Sequence, residues 1–127
     1  MLTFRKKETD DAYDKWRVER KEKGDFYSCI FCKLNVIVKD FKYWVISEND
    51  FPYDKYFRVS HLLSPIRHVN EYEQLTIAEI KEYYLIREYI NGTYNVVLEN
   101  FGETKTIYHY HLHLLTYKDR DEEGNKL

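Results

Sequence analysis

The chain has 127 residues, enough for one domain with a modest core, and 43% of them are hydrophobic and 33% charged, as in many water-soluble domains. The net charge of −2 and the absence of a long basic run exclude the charge pattern of a nucleic-acid-binding protein. No apolar run approaches the roughly 18–20 residues of a transmembrane helix, and the first residues lack a signal-peptide pattern, so we expect a cytoplasmic protein without membrane or nucleic-acid partners.

The first predicted element is a short helix over about residues 9–23, which follows a flexible N-terminal lead. Thr9 is a suitable N-cap, acidic residues occupy the first turn, basic residues the last turn, and Gly24 follows. This order of charges complements the helix dipole. We interpret this helix as a surface element without a catalytic role.

Cys29 and Cys32 are the only cysteines in the sequence, and two residues separate them. In a tight turn this spacing directs both sulfurs to one point, as in half of a tetrahedral zinc site. In a cytoplasmic protein a metal half-site or a redox pair is favoured over a structural disulfide. Two further soft ligands would have to be histidines, and the candidates are His61, His68 and the three histidines near the C-terminus.

The middle of the chain predicts short strands on either side of one long helix. The segments with strand-like composition or alternation are 35–47, 57–63 and 94–98. Thr76 and Glu79 form a capping box that opens a helix over about 76–90. Apolar residues fall on one broad face of that helix, namely Ile77, Ile80, Tyr83, Tyr84 and Ile90.

Three of the five histidines stand at alternate positions between Ile107 and Leu115. In a strand over about 105–117 they would share one face, because successive side chains point to opposite sides. The opposite face would be apolar and buried, with Tyr108, Tyr110, Leu112 and Leu114. Neighbouring β-branched and aromatic residues favour the strand over a helix. We therefore expect a row of imidazoles on one surface, suited to metal binding or nucleophilic catalysis.

The order of helix, strands, helix and strands predicts the α+β class, because most connections are too short for parallel crossovers. We expect an antiparallel sheet of about five strands, with the long helix at 76–90 and the short helix at 9–23 against it. Residues 1–127 would form a single domain with its core at about 27–117 and a charged, flexible C-terminal tail.

The segment His109–Leu115 matches at every position the signature of the histidine triad (HIT) superfamily, in which histidines alternate with apolar residues. Three upstream segments resemble the same family in the same order, so the resemblance covers about residues 27–116. Cys29–Cys32 is similar to the opening of the zinc-containing members. Asn49–Tyr53 resembles the loop that meets the ribose and base of the nucleotide. His61–Val69 resembles the strand and turn before the long helix of the family.

This resemblance implies a HIT-like fold and a nucleotide hydrolase of the phosphoramidase or dinucleoside polyphosphate hydrolase class. In such an enzyme His111 attacks the α-phosphorus of a nucleotide conjugate, and water resolves the nucleotidyl-histidine. His113 supports the phosphate region, and His109 belongs to both the catalytic triad and the metal site. Two alternatives are a nucleotidyl transferase or phosphorylase and a nucleotide-binding interaction module with weak or no catalysis.

The same resemblance implies a structural zinc ion held by four side chains, namely Cys29, Cys32, His68 and His109. His61 is the rival to His68, and we expect it instead in the sheet near the pocket. The expected nucleotide-binding residues are Asn49, Asn100, Lys105 and Thr106. The run Thr104–Thr106 departs from the Gly-Gln-Ser/Thr-like run of the family. Relatives are often two-fold dimers built on the long helix and an edge strand, so a homodimer is expected.

Overall fold

The computed structural model describes residues 3–22, 36–102, 109–120 and 123–126. They form α1 (Lys7–Glu22), β1 (Ile37–Asp40), β2 (Trp44–Glu48), β3 (Phe57–Pro65), a 3-10 turn (Tyr72–Gln74), α2 (Ile77–Thr93), β4 (Val96–Leu98) and β5 (Leu112–Tyr117). The five strands make one antiparallel sheet in the order β1-β2-β3-β5-β4. The predicted α+β class and five-stranded antiparallel sheet are confirmed. In the part of the chain described, neither helix has the length and apolar character needed to span a membrane.

The N-terminus of α2 forms the predicted capping box. The hydroxyl of Thr76 accepts a hydrogen bond from the backbone N–H of Glu79 at 3.1 Å, and the Glu79 carboxylate accepts one from the Thr76 N–H at 2.8 Å. These bonds satisfy two of the backbone donors that a helix start leaves unpaired. The helix continues three residues past its predicted end at 90, to Thr93.

The face of α2 that packs on the sheet agrees only in part with the predicted face, of which Ile90 is buried and Tyr83 packs against the core. Ile86 and Ile90 are buried, whereas Ile77 and Tyr84 are 73% and 75% exposed. The buried face also contains Glu79, which is only 3% exposed. The predicted apolar set therefore omits two buried residues, Glu79 and Ile86, and includes two exposed ones, Ile77 and Tyr84.

Two clusters of buried side chains lie on opposite faces of the sheet. The larger cluster packs between α2 and the sheet and contains Trp44, Ile46, Leu63, Val69, Ile86, Ile90, Tyr94, Tyr110, Leu112 and Leu114. The smaller cluster contains Tyr53, Phe57 and Leu115, with Phe4 packed beside them. Adjacent residues of β5 point to opposite faces, so Leu114 belongs to one cluster and Leu115 to the other.

Glu79 connects α2 to the turn that precedes it and gives the first testable prediction. Burial raises the pKa of the Glu79 carboxyl, but hydrogen bonds from Arg67 and from Thr76 outweigh burial and hold this pKa below its ordinary value of 4.5. A depressed folded-state pKa contributes stability above the unfolded-state value, and this contribution is lost as the pH falls through the folded-state value. Glu79→Gln should therefore lower the unfolding free energy at pH 7 by about 1–3 kcal/mol.

Denaturant unfolding at a series of pH values measures this effect. The difference between the wild-type protein and Glu79→Gln should shrink as the pH falls below about 4.5. Glu88→Gln is the matched control, because Glu88 is exposed on the same helix. A Glu79→Gln difference that is the same at pH 3 and pH 7 would contradict the role of the charged carboxylate.

The N-terminal segment, residues 3–6, is hydrogen-bonded to the loop between β2 and β3 and is not the free lead that the sequence predicts. The N–H of Lys55 donates to the carbonyl of Phe4 at 2.9 Å. The Arg5 Nε–H donates to the carbonyl of Phe51 at 2.8 Å. These two bonds hold the start of the chain against the loop that contains Tyr53.

The helix α1 begins two residues earlier than predicted, so Thr9 lies within its first turn. The Thr9 hydroxyl donates to Asp54 at 2.6 Å and does not act as an N-cap. The other oxygen of Asp54 accepts the N–H of Lys6 at 2.8 Å. A side chain from the distant loop at residue 54 thus takes part in anchoring α1, which local sequence rules do not predict.

The histidine strand β5 is shorter than predicted because its pairing with β3 begins only at Leu112. Of the three alternating histidines, only His113 therefore lies on a strand. The N–H of Tyr110 donates to the carbonyl of Val69 at 2.6 Å, outside the sheet ladder. The predicted apolar face is nevertheless confirmed for Tyr110, Leu112 and Leu114, which are all buried against α2.

Candidate active site

The triad histidines differ in burial, so the predicted uniform row of imidazoles on one surface is wrong. His109 is fully buried, and His113 is 3% exposed. His111 is only partly buried and lies immediately before β5. Because β5 begins only at Leu112, His109 and His111 lie outside the strand, and the three rings have different neighbours.

The tautomer of His111 is set by its own backbone neighbour. The His111 Nδ1 atom lies 2.8 Å from the carbonyl oxygen of His109. A carbonyl can only accept, so Nδ1 carries the proton and Nε2 keeps its lone pair. His111 therefore combines a nucleophilic nitrogen with partial exposure to solvent.

His113 lies on the face of the sheet opposite α2, in contact with an aromatic ring and an amide. Its ring stacks on Tyr53 with centroids 4.2 Å apart and planes 14° apart, and the ring of His111 lies 5.2 Å away. Asn100 Nδ2 lies 3.3 Å from His113 Nε2 and donates to the Tyr53 hydroxyl at 2.8 Å. Burial holds the pKa of His113 well below 6.5, and the nearby His111 and Arg5 act in the same direction. His113 is therefore neutral at physiological pH.

The ring of His109 contacts His68 and Pro65. Its Nε2–H donates to the carbonyl of Pro65 at 2.8 Å, which leaves a lone pair on Nδ1. This Nδ1 lies 3.2 Å from the Nδ1 of His68. Burial lowers the pKa of His109; the Pro65 carbonyl opposes this effect and His68 adds to it.

The turn that presents His68 is fixed on both sides. On one side, Arg67 donates to the buried carboxylate of Glu79 at 2.8 Å. On the other side, the Val69 carbonyl accepts the N–H of Tyr110. His68 itself is exposed, so its position beside His109 follows from the backbone of the turn.

His61 lies in the sheet, on β3, as expected. It points to the α2 face, opposite His113, and so does not lie near the pocket as the sequence predicts. Its Nδ1 and the Tyr94 hydroxyl share a hydrogen bond of 2.7 Å, and its cross-strand partner is Leu114 of the α2-facing core. Burial lowers the pKa of His61. Of the two rival histidines, it is therefore His68 that contacts the triad.

Of the four predicted nucleotide-binding residues, Asn49 and Asn100 lie in the part of the chain that the structure describes. Asn49 caps a turn in the loop after β2, where its side-chain oxygen accepts the N–H of Phe51 at 3.0 Å. Asn100 contacts His113 and therefore belongs to the site. Lys105 and Thr106 lie outside the described residues.

Both cysteines, Cys29 and Cys32, also lie outside the described residues. Within residues 3–22, 36–102, 109–120 and 123–126, no three His, Cys, Asp or Glu side chains are grouped as a metal site would require. The His68–His109 pair supplies two nitrogen atoms at one point, which is half of a tetrahedral ligand set.

Tyr53 is the site residue that sequence reasoning missed. The sequence assigns it to a loop near the ribose, but no local pattern connects it to His113. Its position is set by the Ser60 hydroxyl, which accepts the Tyr53 N–H at 3.0 Å, and by the ring of Phe4 at 5.5 Å. The signal that the sequence offered was the position of Tyr53 in the segment Asn49–Tyr53, which resembles the nucleotide loop of the family.

The chain matches no protein-family model and no curated protein. Among solved structures it is similar to a HIT family hydrolase from Clostridium thermocellum, with 19% identity, a TM-score of 0.56 and coverage of 73% of this chain and 93% of that one. A zinc-bound histidine triad family protein from Mycobacterium smegmatis has 16% identity, a TM-score of 0.58 and coverage of 76% and 80%. The diadenosine triphosphate hydrolase of Plasmodium falciparum has 24% identity, a TM-score of 0.55 and coverage of 67% and 63%. The chain therefore has the fold of the histidine triad proteins, as its sequence predicts.

Proposed function

We propose that the protein is a nucleotide-conjugate hydrolase that cleaves at the α-phosphate through a nucleotidyl-histidine intermediate on His111. The observation that carries this proposal is the hydrogen bond from His111 Nδ1–H to the His109 carbonyl. A histidine attacks through an unprotonated nitrogen, and in the neutral ring this bond places the proton on Nδ1 and leaves Nε2 as the attacking nitrogen.

In the first step the Nε2 lone pair of His111 forms a bond to the α-phosphorus, and the bond from phosphorus to the leaving group breaks. The leaving group departs with the electron pair and takes a proton from solvent. The positive charge on the nucleotidyl-imidazolium is stabilised by the carbonyl of His109, which accepts the Nδ1–H at 2.8 Å. In the second step water adds to phosphorus, the N–P bond breaks, and one proton leaves with the solvent.

His113 and Asn100 would supply the neutral polar surroundings of the phosphate. Because His113 is neutral, it lies beside His111 as a polar ring and not as a second cation. Asn49, Lys105 and Thr106 would complete the nucleotide contacts in the loops on either side. In this proposal His109 contributes its carbonyl to His111 and its ring to the metal site.

Turnover of a panel of substrates tests this function. Adenosine and guanosine phosphoramidates, dinucleoside polyphosphates and nucleotidyl adducts would be incubated with the purified protein, and nucleoside monophosphate would be quantified. We expect release of the monophosphate from at least one class. No turnover above that of His111→Ala with any substrate would overturn the proposal and would favour a nucleotide-binding module. Products that change when orthophosphate is added would instead identify a phosphorylase.

We propose that Cys29, Cys32, His68 and His109 hold a structural zinc ion. Two nitrogen atoms bound to one tetrahedral zinc, each at about 2.0–2.1 Å, lie about 3.3 Å apart. The separation of the two Nδ1 atoms, 3.2 Å, supports this assignment. The bond from His109 Nε2–H to the Pro65 carbonyl is the kind of contact that orients a ligating imidazole. Four protein ligands would close the site and brace the triad without an open position for water.

We infer that the protein forms a homodimer through the outer face of α2, and this inference gives the second testable prediction. Ile77, Tyr84 and Leu85 are each more than 70% exposed. Tyr84 and Leu85 follow Ile77 by seven and eight residues, close to two helical turns, so the three lie on one side of the helix. Exposed apolar side chains in such a row are typical of an interface. Leu85→Glu should shift a dimer to a monomer in sedimentation experiments.

Val18→Glu is the matched control for this experiment, because Val18 is 56% exposed on the other helix, α1. The control should leave the molecular mass unchanged. The inference would be contradicted if the wild-type protein sedimented as a monomer both in a concentrated stock and after 100-fold dilution.

A further inference from the structure

The ring of Tyr53 contacts His113, Arg5 and Phe4. It stacks on the imidazole with centroids 4.2 Å apart. The Arg5 guanidinium lies 4.9 Å from the centroid of the same ring, and the ring of Phe4 lies 5.5 Å away. Tyr53 is 7% exposed. The N-terminal segment and the loop before β3 therefore fix the plane against which His113 rests.

Asn100 joins the hydroxyl of Tyr53 to the ring of His113. Its Nδ2 atom lies 2.8 Å from Tyr53 Oη and 3.3 Å from His113 Nε2. An amide nitrogen can only donate, so in this orientation the imidazole accepts through Nε2 and carries its proton on Nδ1. The Tyr53 hydroxyl, as the second acceptor, keeps the amide nitrogen turned toward the histidine.

The Nδ1–H tautomer leaves one polar atom of the His113 ring without a hydrogen-bond partner among the described residues. This atom, Nδ1, is buried. A buried donor without a partner destabilises the folded state. The ring would therefore not keep its proton on Nδ1 unless the amide of Asn100 opposed a proton on Nε2.

We propose that Tyr53 and Asn100 are positioning residues that hold His113 as the neutral Nδ1–H tautomer, in a fixed plane beside the nucleophile His111. Tyr53 acts through Asn100 by accepting one of its N–H groups, and acts directly by stacking on the imidazole. A proton on Nε2 would face the Nδ2–H group of Asn100 at 3.3 Å. This inference rests on the proposed function only for its effect on catalysis.

Nitrogen-15 NMR of the imidazole rings tests the tautomer directly. Long-range correlation spectra of the full chain at pH 7 distinguish a protonated from an unprotonated ring nitrogen, and single substitutions assign the five histidines. We expect wild-type His113 to carry its proton on Nδ1. Asn100→Asp replaces the donor by an acceptor of the same size, so the proton should move to Nε2.

Tyr53→Phe keeps the stacked ring and removes only the hydroxyl that holds the amide. We expect the His113 signals to shift toward a mixture of tautomers and kcat for the best conjugate to fall about three- to tenfold, with little change in KM. Tyr56→Phe is the matched control, because Tyr56 packs against the same smaller cluster of buried side chains as Tyr53 but has no described contact with His113. Its spectrum should match that of the wild type.

Two results would overturn the inference. One is a wild-type His113 with its proton on Nε2. The other is an Asn100→Asp spectrum in which the His113 nitrogens are unchanged while the remaining histidine signals show a folded protein. Both results are read from NMR spectra and do not depend on turnover. If His113 carries its proton on Nδ1 but the protein hydrolyses no conjugate, the proposed function is wrong and this inference stands.

Discussion

Replacing His111 with alanine should lower kcat for nucleotide-conjugate hydrolysis by about three to six orders of magnitude, because it removes the nitrogen that forms the covalent bond to phosphorus in the proposed mechanism. The loss corresponds to about 4–8 kcal/mol of transition-state stabilisation. Removing the ring also removes the Nδ1–H donor to the His109 carbonyl, but that bond lies at a partly exposed position. We therefore expect the thermal unfolding temperature to change far less than the rate.

Initial rates and an alkaline quench with labelled substrate measure the two parts of this prediction. The wild-type protein should carry a covalent nucleotidyl group that survives alkali and is released by acid, as expected for a phosphorus–nitrogen bond. The variant should carry none. His61→Ala is the matched control, since His61 lies on the opposite face and bonds to Tyr94. Turnover by His111→Ala within tenfold of the wild type would contradict the assignment of the nucleophile.

If the proposed zinc site is correct, replacing Cys32 with serine should remove the zinc ion and lower the stability of the protein more than its nucleotide affinity. A ligand present at a thousandfold its dissociation constant stabilises the folded state by about 4 kcal/mol, and metal binding to a folded site acts in this way. We expect the variant to lose about this amount of unfolding free energy. The unfolding temperature would then fall by about 10–20 °C.

Metal analysis, calorimetry and nucleotide titration together measure this effect. The wild-type protein should contain about one equivalent of zinc and Cys32→Ser almost none. At a temperature where both proteins are folded, binding of a nucleoside monophosphate should agree within about threefold. His61→Ala should retain its zinc, because His61 contacts Tyr94 and not His109. A wild-type protein purified without metal would contradict the ligand assignment.

The sequence predicted those features of the site that depend on neighbouring residues. The capping box at Thr76 and Glu79 is correct because both halves of the motif lie within one helical turn. The buried positions Tyr110, Leu112 and Leu114 follow from simple alternation. The family resemblance of the triad segment likewise indicated the fold that the solved structures share.

The sequence failed where an element ends or where its buried face includes a polar residue. Alternation continues through His109 and His111, but β5 begins only at Leu112. Just before it, the N–H of Tyr110 donates to the carbonyl of Val69 and the His109 side chain bonds to the carbonyl of Pro65, outside the sheet ladder. On α2 the predicted face included the buried Ile90 but omitted the buried Glu79, which hydrogen bonds from Arg67 and Thr76 stabilise. Hydrogen bonds therefore decide both cases.

What the sequence determined by itself is the set of chemical groups: three alternating histidines, a C-x-x-C pair, the capped helix and the strands that carry them. What only the tertiary structure decided is which of these groups meet. His68 lies beside His109 across 41 residues, and Tyr53 lies beside Asn100 across 47. Local propensity and periodicity fix the direction of a side chain within its own element. The packing of the sheet, its turns and the N-terminal segment fixes its partner, and hence which ring nitrogen carries the proton.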